Sequence, residues 1–295
     1  MKGILIIFLI ILAVSFIGTL AQEEAIALTP APQFFGGTPP EAVARAAFIE
    51  VDRGDDSQEM FPCTDAANDC SLRSALNIAN TDKAATTITF ADHYIITLAQ
   101  PLPSLTENNT IIRARPEQEV HVNGNSIGQS VFYITGANVT LEGLRVYGAG
   151  AGFSNISIDG GAYNVSIAYN VIGDDDAPSG GCGQSDQAYG GIYVGGTEAA
   201  ETAVRAWIYG NTIECHQGGP GDGITVATDR VAIGQDSAGN AGPGQRNILR
   251  WNRGYGVRIG EHGGNLICNS LMHDNEAGNL FMTNFDNDFM DNEMQ

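Results

Sequence analysis

Lysine is almost missing from this chain: Lys2 and Lys83 are the only two in 295 residues, and 14 basic side chains in all face 34 acidic ones, a formal charge of −20. Such a surface repels a polyanion, which argues against nucleic-acid binding. Charged residues make up only 16% of the chain, which suits a helical bundle less well than a strand-rich fold. After the N-terminus no hydrophobic run is long enough to span a bilayer. The five cysteines and five histidines show no zinc-ligand spacing. No nucleophile elbow, phosphate loop or dinucleotide fingerprint sits in a strand-to-helix context. Glycine, by contrast, is abundant at 37 residues, which suits many short strands joined by tight turns.

Lys2 precedes an apolar run from Ile4 to Ile17 and the small-residue pattern Thr19-Leu20-Ala21, so residues 1–21 read as a signal peptide. Left uncleaved, that segment would be the protein's one membrane contact. Residues 22–47, with Pro30, Pro32, Pro39 and Pro40, read as a linker. A secreted or cell-surface protein is therefore expected, in a compartment where disulfides form. Cys63 and Cys70 are the closest pair; Cys182 with Cys215 is a second, leaving Cys268 over.

Leu72, Ala75, Leu76 and Ala79 recur at helical spacing behind Asp69 as N-cap, which predicts one short helix. The rest reads as short strands between glycines and asparagines. In the second half a glycine-apolar-any-apolar template recurs at Gly191, Gly223 and Gly256, with a looser copy at Asn279-Leu280-Phe281-Met282. A second template, an aliphatic residue three before an asparagine, joins Ile167 to Asn170, Ile208 to Asn211, Leu249 to Asn252 and Leu266 to Asn269. Two alternating strand types describe coils of a solenoid, each burying its neighbour's apolar face. Two-residue hairpin signals are few, which disfavours a propeller. The expected fold is all-β: a right-handed, pectate-lyase-like parallel β-helix with a capping α-helix, residues 48–130 forming the cap and first coils and 131–295 the repeats.

Cys70-Ser71-Leu72-Arg73-Ser74-Ala75 resembles the signature of bacterial secreted proteins named for a Cys-Ser-Leu-Arg-Glu-Ala motif, with Ser74 in place of its glutamate. Ile88-Thr89-Phe90, Leu102-Pro103-Ser104-Leu105 and Val139-Thr140-Leu141-Glu142-Gly143-Leu144 are similar to the run that follows in that group. The resemblance covers most of residues 49 to 295 and implies a helix-capped, exported β-helix rather than a reaction.

Many parallel β-helices act on polysaccharide. Asp174, Asp175 and Asp176 would supply paired carboxylates, but Arg258-Ile259-Gly260 precedes His262-Gly263, the reverse of the polygalacturonase order. For a pectate-lyase-like mechanism Asp174, Asp175, Asp176 and Asp186, with Asp222 on the next coil, would hold calcium, and Arg258 is a candidate base. A solvated acidic turn is the plainer reading of the same aspartates. For binding, alternation along 204–209 places Arg205, Trp207 and Tyr209 together on the outer face, with Trp251 and Tyr255 extending the platform. The same logic sets Tyr193, Thr225, Arg258 and Phe281 in a row. His216, His262 and His273 read as surface residues. The leading expectation is a non-catalytic protein whose flank binds polysaccharide or a cell-surface glycan and needs no cofactor. The alternatives are a calcium-dependent lyase on acidic polysaccharide and a structural stalk.

Overall fold

A computed structural model describes residues 47–57, 62–173, 182, 188–196, 203–284 and 286–294. Residues 1–46, which include the expected signal peptide and most of the expected linker, and Asp174, Asp175, Asp176 and Asp186 lie outside the described residues. The chain is a parallel β-helix. Its three sheets hold nine, eight and six strands, and every neighbouring pair in each is parallel. The first sheet starts at Ala47–Val51 and ends at Asp288–Met290; the second runs from Tyr94–Thr97 to Glu293–Met294, and the third from Phe132–Ile134 to Gly278–Met282.

Registered stacking explains why short strands suffice. In the first sheet Ile112, Leu141, Ile167, Ile208, Ile233 and Ile267 sit directly one above another, each fully buried. In the second, Ile96, Val122, Val146, Ile172, Ile213, Leu249 and Met272 do the same. No coil could bury these side chains alone; the stack gives each an apolar neighbour above and below.

The corners carry the asparagines. Asn170, Asn211 and Asn247 form a buried ladder between the first and second sheets. The Oδ1 of Asn211 accepts from the backbone N–H of Asn170 at 2.9 Å, and that of Asn247 accepts from the N–H of Asn211 at 3.0 Å. Asn252 and Asn275 build a separate ladder between the second and third sheets, where Asn275 Oδ1 accepts from Asn252 Nδ2 at 2.9 Å. The aliphatic-to-asparagine template therefore mixes two corners. Asn269 belongs to neither ladder and donates to the Gly242 carbonyl at 2.6 Å. The glycine template has a steric cause. A Cβ on Gly191 would lie 2.6 Å from the Gly223 carbonyl oxygen, and one on Gly223 2.6 Å from that of Gly256. At this corner the next coil's backbone occupies the space a side chain would need.

The single α-helix among the described residues, Leu72–Thr81 (α1), packs on the first strand with Leu72, Ala75, Leu76 and Ala79 buried. Its N-cap is Ser71, whose hydroxyl accepts from the Ser74 N–H at 3.2 Å, and not Asp69. The carboxylate of Asp69, two residues before the N-cap, is taken by the Thr64 N–H at 3.1 Å. Arg73 is locked beneath the cap by Asp56, with Nε to Oδ1 and Nη2 to Oδ2 both at 2.8 Å. Disulfides join Cys63 to Cys70 and Cys182 to Cys215, and Cys268 is free and buried.

Candidate functional site

The three residues expected to share an outer face separate. Trp207 and Tyr209 are half-buried on the first sheet, between Ser166 and Ala232 and beside Ala168, while Ala206 and Ile208 point inward. Arg205 is 1% exposed and does not join them. The strand begins at Ala206, so Arg205 stands at the corner, where pleat alternation no longer sets a side chain's direction. Its Nη1 donates to the carbonyls of Gly160, at 3.1 Å, and Ala162 on the preceding coil. Burial pulls its pKa down, with Arg230 adding to the effect and Asp159 opposing it. Trp251 and Tyr255 do not extend the pair. Trp251 lies in the corner after Asn247–Arg250, its ring 4.0 Å under the Arg250 guanidinium, and Tyr255 begins a strand of the third sheet.

That third sheet carries the longest continuous row of side chains with binding chemistry. Tyr133, Ser157, Tyr193, Thr225, Arg258 and Phe281 stand in register on six successive strands. The Tyr193-to-Phe281 part follows from the glycine template; Tyr133 and Ser157 escape it because their strands lack the leading glycine. At the Tyr133 end lies a cleft of about 620 Å³ whose aromatic walls are Tyr133, Phe153, Tyr189 and Tyr193. Phe153 and Tyr189 are 40% and 47% exposed, large apolar surface left in water. The Tyr193 ring folds back over Gly195, where a Cβ would come within 2.5 Å of it, and Tyr189 covers Gly219 in the same way. These glycines are what let two rings lie flat.

Polar groups line the same cleft. Ser130 and Ser157 share a 2.8 Å hydroxyl hydrogen bond, and the Tyr133 hydroxyl donates to Asp159 Oδ2 at 3.3 Å. Asp159 Oδ1 accepts from the Gly160 N–H at 2.7 Å, which fixes the carboxylate at the mouth. Burial first, and the Asp159 charge second, hold the phenols of Tyr133 and Tyr193 above their ordinary pKa, so both are neutral donors at physiological pH.

Two coils further on, Arg258 reaches back to Asp222, which is 1% exposed. Its Nη2 donates to Oδ1 at 3.3 Å and its Nε to Oδ2, while the Tyr255 N–H takes Oδ1 at 2.7 Å. The guanidinium also stacks 4.8 Å from the Tyr255 ring and 5.2 Å from Phe281. The Asp222 hydrogen bond raises the Arg258 pKa, which favours the protonated guanidinium in this pair. Asp222 is likewise committed to arginine.

No family model and no curated protein sequence matches the chain. A cleft with flat rings on its walls and hydroxyl and carboxylate groups at its mouth fits a ligand with one apolar face and several hydroxyls. His216 is not on the surface: it is fully buried, its Nδ1 2.7 Å from Asn252 Oδ1 and its Nε2 3.2 Å from Asn155 Nδ2, where it serves the corner packing. Among the described residues no group of three acidic, histidine or cysteine side chains converges to hold a metal.

Proposed function

We propose that this is an exported, non-catalytic parallel β-helix that binds polysaccharide along the outer face of its third sheet. The observation that carries the reading is the cleft formed by Tyr133, Phe153, Tyr189 and Tyr193 around Ser130, Ser157 and Asp159. The C–H-lined face of a sugar ring packs against an aromatic face, and its hydroxyls need fixed donors and acceptors at the rim. Both kinds of group occur here on a rigid, registered scaffold, so little ordering entropy is lost on binding. The two disulfides fit an oxidising compartment outside the cytosol. The resemblance of Cys70 to Ala75 to a motif of exported bacterial proteins points the same way. The Trp207–Tyr209 pair on the first sheet is the weaker platform, because Tyr209 meets Tyr169 edge to face at 5.5 Å and presents no open ring pair.

Retention of the purified chain on insoluble polysaccharides tests the reading, with reducing ends and unsaturated products followed in the same tubes. Binding that Tyr193→Ala abolishes, without product, is the expected result. Calcium-dependent turnover, or binding that survives Tyr193→Ala and fails in Trp207→Ala, would overturn it.

A further inference from the structure

The cleft's charge pattern narrows the ligand. Among the described residues that line it, Asp159 is the one charged side chain, and no lysine or arginine is present. Arg205 is buried and donates to the carbonyls of Gly160 and Ala162. Arg258, on the same face, is paired with Asp222.

We infer that the site takes an uncharged glycan and rejects uronates. The inference rests on the binding role proposed above and adds the charge of the ligand to it. A neutral sugar ring stacks on Tyr193 and the neighbouring Tyr189 rim. Its hydroxyls donate to the Asp159 carboxylate, which still has lone pairs beyond those used by Tyr133 and Gly160. A uronate carboxylate brought to the same place meets Asp159 with no lysine or arginine among the described lining residues beside it, and like charges at an interface are strongly disfavoured.

Affinity electrophoresis and calorimetry with soluble galactomannan, arabinoxylan and mixed-linkage glucan, against polygalacturonate and alginate, test this at low and high salt. The expected result is binding to at least one neutral polymer and to neither uronate. Tyr193→Ala should reduce affinity at least ten-fold, and binding should be nearly insensitive to salt, since no ion pair forms. Asp159→Asn should weaken the neutral ligand about ten-fold through loss of a charged acceptor, and also relieve part of the rejection of uronates. Binding confined to polygalacturonate or alginate and lost in Tyr193→Ala would overturn this inference while leaving the cleft as the binding site. Retention of no polymer would overturn both.

Discussion

Arg258 closes on Asp222 from the next coil, and their exposures differ sharply: the Asp222 side chain is 1% exposed and that of Arg258 32%. Removal of either partner therefore has unequal consequences. Arg258→Ala strands a buried carboxylate without its cation and should cost about 3–5 kcal/mol. Asp222→Asn leaves an arginine that can turn to water and an amide oxygen that still accepts from Tyr255, and should cost only about 1–2 kcal/mol. Urea unfolding of the two variants, compared at equal slope, checks the order. Equal losses would mean that Asp222 is better solvated than its packing implies.

The tyrosines of the cleft make a second prediction. Tyr133 and Tyr193 are both raised, by burial and then by Asp159. A phenol whose folded pKa exceeds its unfolded value lends stability that is fully present below pH 10 and is lost as pH rises through the folded pKa. The native protein should thus show a late fraction in its phenolate absorbance titration, followed by alkaline unfolding. Asp159→Asn removes the negative neighbour and should move part of that late fraction back toward pH 10. A titration curve identical to wild type would show that Asp159 does not act on either phenol.

The asparagine ladder predicts stability rather than binding. Asn211 Nδ2 donates to the Ile167 carbonyl at 2.8 Å, and its Oδ1 accepts from both the N–H and Nδ2 of Asn170. Asn211→Ala orphans several buried groups at once and should cost about 2–4 kcal/mol. Asn269→Ala removes one partly buried bond to Gly242 and should cost under about 1 kcal/mol. The two asparagines stand in the same sequence template, so the contrast, read by thermal unfolding, tests whether corner position or local motif sets the energy.

The fold is legible in the sequence wherever its pattern is local. Period-two strands, stacking glycines and the Tyr193–Thr225–Arg258–Phe281 row are local patterns repeated at tens of residues, and local repetition is what a solenoid writes into its sequence. The place of Arg205 is not legible, because alternation sets it outward only if the strand extends to it, and strand ends depend on the corner carbonyls of another coil. Tyr133, Phe153, Asp159 and Tyr189 come together from three coils through turns of irregular length, so no spacing announces their cleft. Asp69 has the residue type of an N-cap, but Ser71 is closer to the helix and Thr64 already holds the carboxylate.

The cysteines supply the last prediction. The Cys182–Cys215 bridge closes a loop with a sequence separation of 33 against 7 for Cys63–Cys70. On loop entropy alone the longer one contributes roughly 1 kcal/mol more, about 3.7 against 2.5 kcal/mol. Replacing Cys182 and Cys215 by serine should therefore lower the unfolding midpoint more than the same change at Cys63 and Cys70. Cys268 is buried, and burial raises its thiol pKa, so little thiolate is present at neutral pH. A thiol reagent should find no reactive group in the folded chain and one in denaturant. Three reactive thiols in denaturant would show that one bridge had not formed, and a fast-reacting thiol in the folded protein would show that the stack opens around Cys268.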